Sequence, residues 1–431
     1  MPGGASERPA KSRARLVVLG LTLALVAVAY LDRVCIATAA PAIRKELGFD
    51  AEQMGLVFSA FTLTYALFEV PSGWFADRFG PRLGLTRIVL WWSAMTAATG
   101  LATGLGSLLV LRALFGMGEA GTFPSTARVY ARWLPRREHG AAFGLAIATG
   151  AVGGAVTISL VVFLLERVSW RVAFASFGVV GVLWAALWWS YFRDDPAAHP
   201  GVSEAELRDI RGDAPGRNPD AAHADVPWSE LLRFSPLWAL SLTYVGVIYG
   251  WYFFLTWMPT YLLEGRRFDM HRMGLLSALP LLCIAVGVWA GGAASDRLAV
   301  KHGPRARKFP GLVGFPLAGV ATVFAALTPS PELAALSLAL AAGLGAFGVA
   351  PTWALCVEVG GEHAGIVSGT MNMFGNLGGT LCPIVVGACV KRLGSWPVAL
   401  GTVAAFYFAS AALFVLVDTT RKLEGDAVTP R

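Results

Sequence analysis

The chain has 431 residues, 55% of them hydrophobic and 15% charged, with a mean hydropathy of +0.59; an ordinary soluble domain carries about 25% charged residues. The formal net charge of +7 would suit nucleic acid if the bases formed one compact patch. They stand instead at the ends of apolar runs, which excludes that partner and points to a lipid bilayer.

Runs of roughly 20 apolar residues span a bilayer as helix, because lipid offers no partner to backbone N–H and C=O groups. The first run, 16–39, follows a basic lead and continues into Asp32-Arg33 with no small-residue cleavage site, so it reads as a span and not a signal peptide. Further runs near 54–76, 84–104, 107–130, 140–164 and 170–192 complete a first half. A polar stretch, Arg193 to Ser235, follows, and then runs near 236–262, 273–295, 310–328, 332–356, 363–390 and 396–417. The expected fold is an all-α membrane protein, twelve transmembrane helices in two pseudo-symmetric six-helix bundles. Residues 1–192 and 236–431 would form the bundles, and 193–235 a cytoplasmic central loop. Lys and Arg between the runs divide 24 to 9 in favour of one side, which places both termini in the cytoplasm. The five cysteines (Cys35, Cys283, Cys356, Cys382, Cys389) lie in or beside apolar runs with no CxxC spacing. They read as small buried hydrophobes, and no metal or cofactor is expected.

An internal repeat supports two related halves. Gly73-x-x-x-Asp77-Arg78 with Gly80-Pro81-Arg82 returns as Gly292-x-x-x-Asp296-Arg297 with Gly303-Pro304-Arg305. Glu138-His139 and Trp170 return as Glu362-His363 and Trp396 at nearly the same interval. Gly73, Asp77, Arg78, Asp296 and Arg297 are read as a short loop motif that latches one conformation: the acid caps a helix or pairs with a base, and the glycine lets helices approach. A plain positive-inside loop with a helix cap accounts for the same residues. Repeated halves around a central site suit an alternating-access carrier.

Ionisable side chains inside apolar helices cost at least roughly 2.5–3.5 kcal/mol each on insertion scales and so mark functional sites. Asp32, Arg33, Arg112 and Glu119 are the main ones. Arg112 and Glu119 share one face two turns apart, about 10.5 Å of axial rise, too far for mutual contact. Each therefore needs a partner, and Asp32 and Arg33 are the natural ones. The expectation is a four-charge cluster that either moves protons and binds an anion or holds helices together as a static network. Glu69 is expected near the cytoplasmic end of its helix, reaching water or Arg78. Tyr30 and Tyr65 can donate hydroxyls beside the cluster or sit at an interface. Asn372 and Asn376, a turn apart, can bind substrate or a neighbouring helix. The pairs Gly150-Gly154, Gly287-Gly291, Gly365-Gly369 and Gly375-Gly379 read as close-packing contacts. No nucleophile–base constellation or HExxH spacing suggests an enzyme.

Several motifs carry a family resemblance: Tyr30-Leu31-Asp32-Arg33, Arg112-x6-Glu119-Ala120-x3-Pro124, Trp133-Leu134-Pro135 with Glu138-His139-Gly140, Ser169-Trp170-Arg171, Trp257-Met258-Pro259-Thr260-Tyr261-Leu262, and the stretch from Gly365 to Pro383. Together with the loop motif they resemble the major facilitator superfamily, and within it the anion:cation symporter family. The resemblance implies a proton-coupled symporter that imports an organic anion across a bacterial inner membrane and works as a monomer. A sugar acid (hexonate, hexuronate or hexarate) is the first substrate class it implies, an aromatic or other carboxylate the second, and proton-driven export a third reading. It implies Asp32 and Glu119 as proton carriers, Arg112 as their switchable counter-ion, and Arg33, Tyr30, Tyr65 and Asn372 as substrate contacts. Three positions depart: Gly150 stands where some sugar-acid members carry Gln, Ser159 where they carry Pro, and Glu69 where many members carry Gln. The loss of an amide at Gly150 suits a larger or less hydroxylated anion equally well.

Overall fold

A computed structural model describes residues 12–211, 228–361 and 364–423, apart from the side chains at 70, 73, 74, 76, 77, 136, 137, 140, 228, 229 and 365. Gly73 and Asp77 of the repeated motif, and its later companions Glu362 and His363, thus lie outside the described residues. Every regular element among the described residues is helical, as a chain in lipid requires. In order they are α1 (Ala14–Leu47), α2 (Ala51–Phe79), α3 (Pro81–Thr99), α4 (Leu105–Glu119), α5 (Thr122–Trp133), α6 (Arg136–Leu165) and α7 (Trp170–Tyr191). Two short helices, α8 (Glu204–Arg211) and α9 (Trp228–Arg233), lie in the polar connection. There follow α10 (Ser235–Thr256), α11 (Met258–Thr260), α12 (Met270–His302), α13 (Phe309–Leu327), α14 (Pro331–Phe347), α15 (Val349–Gly360), α16 (Ala364–Leu393) and α17 (Trp396–Val415).

Nine stretches among the described residues are long and apolar enough to cross a membrane. The other three expected spans, near 54–76, 84–104 and 107–130, fall on α2, α3 and the pair α4–α5, which are helical but do not meet that measure. Three expected spans are interrupted. Helix α4 stops at Glu119 and α5 begins at Thr122; α14 gives way to α15 at Gly348; and α10 passes through α11 into a π-helical turn at Tyr261–Gly265. The repeated motif is also not a loop. Helix α2 runs to Phe79 and α12 to His302, so Arg78, Asp296 and Arg297 are helical residues. The turn shrinks to Gly80, whose φ of 81° only glycine adopts cheaply, with Pro81 starting α3. Asp296 is held by Arg307 at 2.6 Å, and Arg307 also reaches Glu358 at 3.4 Å; Arg297 is exposed.

Within the first half of the chain α1 packs on α6, α2 on α4, and α3 on α7 and α4. Within the second, α10 packs on α16 and α17, α12 on α14, and α13 on α14 and α17. Between the halves, α2 lies along α16 and α6 along α12. The α2–α16 seam is tight where α1 and α16 finish. A Cβ on Gly55 would stand 2.3 Å from the Pro383 carbonyl oxygen, and one on Gly387 2.6 Å from that of Ala51. Ser59 donates to the Thr380 carbonyl at 2.7 Å, and the Trp257 indole to that of Pro383 at 3.2 Å.

Ion pairs close the same end: Arg44 to Glu264 at 2.7 Å, Lys391 to Asp50, and Arg392 to Glu52. The Lys391 hydrogen bond holds the Asp50 carboxyl below its ordinary value. A lowered carboxylate stabilises the closed end above that ordinary value, about 3.9, and the gain is lost as pH falls through the lowered one. A double Lys391→Ala, Arg392→Ala variant is expected to open this end more often, read as faster maleimide labelling of a cysteine at Ser59. High salt should do the same to the parent protein, because these pairs are exposed and screened.

At the opposite end α8 clasps the start of α1. Glu206 accepts from the backbone N–H groups of Ala14 and Arg15 and from the Ser12 hydroxyl, and Asp209 pairs with Arg15 at 2.7 Å. Arg15 also reaches Glu138 on α6, at 3.5 Å.

Candidate functional site

The four charges of the first half come together in the interior. Asp32, Arg112 and Glu119 are at most 2% exposed. Consecutive residues on α1 point about 100° apart, so Asp32 and Arg33 serve different neighbours. Arg33 donates from Nε to Glu119 Oε1 at 2.6 Å. This links α1 to α4 at the residue where α4 ends. There the Thr122 hydroxyl donates to the Glu119 carbonyl at 2.6 Å, satisfying an acceptor that the helix break would otherwise leave open. Asp32 turns towards Thr96 and Arg112. The expected Asp32–Arg112 partnership is a facing arrangement and not a direct bond, since no ion pair within 4.0 Å joins them among the described residues.

Aromatic rings lie against both guanidiniums. Arg33 Cζ lies 4.7 Å from the centre of Tyr65, 5.3 Å from Phe61 and 5.9 Å from Tyr30. Arg112 Cζ lies 4.4 Å from Phe115 and 5.2 Å from the same Phe61. Phe61 thus offers its ring to both cations, an attraction of about 0.5–2 kcal/mol for each. Several buried polar atoms have no hydrogen-bond partner: both carboxylate oxygens of Asp32, Glu119 Oε2, Arg33 Nη2 and Arg112 Nε. Native interiors rarely leave such atoms unmet. A proton on either carboxyl removes a buried charge and adds a donor, and an anion beside Arg33 would answer its unmet N–H group.

Glu69 departs from its expected place at a helix end. Because α2 continues ten residues further, to Phe79, Glu69 lies inside the bundle, on the same face as Tyr65 one turn earlier. Its carboxylate accepts from Asn372 Nδ2 at 2.9 and 3.1 Å and from Asn376 Nδ2 at 3.5 Å. The two asparagines therefore reach across to the other half of the chain, joining α16 to α2.

The second half also supplies groups that hydropathy could not single out. Tyr252 on α10 lies near Arg33 and Glu119, and Tyr244 on the same helix lies near Tyr30 and Glu69. The Trp353 indole donates to the Tyr244 hydroxyl at 3.0 Å. Their signal in the sequence was Gly375-Gly379: a Cβ on either would fall 2.5 to 2.6 Å from the Tyr244 and Tyr252 rings. Gly150 has a related cause. A Cβ there would fall 2.6 Å from the Tyr30 ring, so Tyr30 occupies the space of any side chain at 150. Gly150→Ala is expected to push Tyr30 off Arg33, at an overpacking cost of about 1–3 kcal/mol. The check is a rise in the half-saturating substrate concentration in the parent background and no further rise when Gly150→Ala is added to Tyr30→Ala.

A family model described as Major Facilitator Superfamily matches residues 22–383. A probable sulfoacetate transporter of Cupriavidus necator is 37% identical over 389 residues, covering 89% of this chain and 89% of that one. A D-galactonate transporter of Escherichia coli is 32% identical, covering 94% of this chain and 96% of the other. A probable galactarate/D-glucarate transporter of Escherichia coli is 31% identical with the same coverage, 94% and 96%. In fold, the chain is similar to a bacterial homolog of the human lysosomal transporter Spinster, solved in an inward-facing and occupied conformation. The TM-score is 0.76 at 19% identity, covering 95% of this chain and 97% of that one. The chain belongs to the Major Facilitator Superfamily and is a membrane transporter, not an enzyme.

Proposed function

We propose that this transporter is a proton-coupled symporter that brings a small organic anion into the cytoplasm by alternating access. One observation carries the reading: the 2.6 Å bond between Arg33 and Glu119. The group best suited to hold a substrate carboxylate is held by a carboxylate of the protein. A proton on Glu119 releases Arg33 to the substrate, and loss of that proton takes Arg33 back, so anion and proton bind together. Asp32 carries protons beside the Arg112 counter-ion. Tyr30 and Tyr65 orient Arg33, and Asn372 contributes from the second half. The names of the relatives share this chemistry, since sulfoacetate, galactonate and glucarate are all small organic anions.

The membrane arrangement that goes with this reading has twelve spans, with α2, α3 and α4–α5 joining the nine apolar stretches. Bundles 1–192 and 236–431 would rock about the site, joined by 193–235, with both termini in the cytoplasm of a bacterial cell and one chain forming the working unit. The test is uptake into proteoliposomes of a panel of sugar acids, aromatic acids and sulfonated acids, each recovered unchanged. An inward proton gradient should drive accumulation above equilibrium in the parent protein, and Glu119→Gln should abolish that accumulation. Full gradient-driven accumulation by Glu119→Gln would remove Glu119 from the coupling step.

A further inference from the structure

The uptake reading above accounts for Glu119 and leaves Glu69 without a task, although the two stand in parallel situations. Each is a carboxylate of the first half that occupies a group suited to hold an anion: Glu119 occupies the Arg33 guanidinium, Glu69 the amides of Asn372 and Asn376. Two amide groups converging on one carboxylate make a receptor for an oxyanion, because amide N–H groups donate and a carboxylate can only accept. The neighbours of Glu69 are defined. Arg33 faces it from α1, Tyr65 from its own helix, Tyr244 and Tyr252 from α10, and the asparagines from α16. Arg33 is the cation among these, and Glu119 already engages it.

Resting on that reading, we propose that Asn372 and Asn376 form a second anion-head pocket in which Glu69 stands in for the substrate, so that the transported solute is a two-headed dianion with one head on Arg33 and the other on the two amides. A carboxylate or sulfonate head entering this pocket cannot share it with an ionised Glu69, because two anions would then compete for the same donors in a low-dielectric setting. Glu69 therefore takes up a proton as the head enters. It gives the proton up when the head leaves and its own carboxylate returns to the amides. Charge balances at each step: one negative head enters, one negative side chain is neutralised, and the proton travels with the dianion.

The experiment measures proton-to-anion stoichiometry from reversal conditions in proteoliposomes, with sulfoacetate and D-glucarate as dianions and D-galactonate as a singly charged comparison. The parent protein should concentrate at least one dianion and prefer it to D-galactonate. Glu69→Gln, which fills the same space but holds no proton, should move one proton fewer per dianion and become correspondingly more sensitive to an inside-negative potential. The Asn372→Ala, Asn376→Ala double variant should raise the half-saturating concentration for the dianion by at least about tenfold, the worth of lost hydrogen bonds to a charged group. Preference for D-galactonate, or an unchanged stoichiometry in Glu69→Gln, overturns the proposal while leaving anion uptake intact. Failure to accumulate any of the three solutes counts against the uptake reading, and the pocket is then tested without substrate. The pH-difference infrared spectrum of the purified protein should contain a carboxylic acid C=O band that vanishes in Glu69→Gln and changes frequency in Asn372→Ala. Absence of such a band overturns the proposal.

Discussion

Arg33→Ala is expected to abolish both substrate binding and uptake, and to lower the unfolding temperature as well. Arg33 makes a 2.6 Å bond to a fully buried carboxylate. Truncation leaves Glu119 with neither oxygen paired, because Glu119 Oε2 already lacks a partner. Breaking one side of a buried pair typically costs about 3–5 kcal/mol, most of it the penalty of the orphaned charge. A pure loss of stability and a loss of function separate in the double variant Arg33→Ala, Glu119→Gln. Removing the orphaned charge should restore most of the melting temperature, while binding stays absent because no guanidinium remains. Arg33→Lys should retain part of the stability, yet it lacks the planar fork and aromatic stacking that Tyr65 and Phe61 support. A double variant that binds substrate with the parent dissociation constant would take Arg33 out of the substrate site.

The second large effect is expected at Gly55. Even alanine there would bring Cβ to 2.3 Å from the Pro383 carbonyl oxygen, which is backbone and cannot rotate aside. Gly55→Val should therefore force α2 and α16 apart where their pairing closes one end of the molecule, and every hydrogen bond further along that seam would lengthen. A carrier that cannot close one end cannot complete its cycle, so net transport should vanish while the protein remains folded in the membrane. The readouts are uptake and the labelling rate of a cysteine at Ser59, a position now 4% exposed. Normal transport by Gly55→Val would mean that the seam opens and closes without this contact.

The sequence exposed the four-charge cluster because a charge inside an apolar run stands out whatever its partners. It exposed the helices for the same reason, since the bilayer allows few alternatives. It misplaced Glu69 because hydropathy reports where apolar character fades, not where a helix ends. Helix α2 runs ten residues beyond Glu69, to Phe79, and the partners that set Glu69 in the bundle, Asn372 and Asn376, stand on a distant helix. Tyr65, one turn earlier, was the available clue to its face. Tyr244, Tyr252 and Trp353 do not stand out for another reason: aromatic residues are common in such helices, and Gly375-Gly379 marks only a close approach, not which rings fill it. The breaks at Ala120-Gly121 and Gly348 leave little trace in an averaged hydropathy profile. The first matters locally, because it puts Glu119 at the end of α4, where Thr122 donates to its carbonyl.

The ionisable groups at the centre come from α1, α2 and α4, whereas α10, α15 and α16 bring phenols, an indole and amides. The central groups are thus divided between the two halves of the chain, the acids and guanidiniums on one and neutral polar groups on the other. On the proposed uptake reading, exchanging Tyr244, Tyr252 or Trp353 should retune which solute is carried, whereas exchanging Asp32 or Glu119 should change the coupling to protons. Relatives whose names differ in solute each align with 89% or more of this chain, so carriers for different anions share one scaffold.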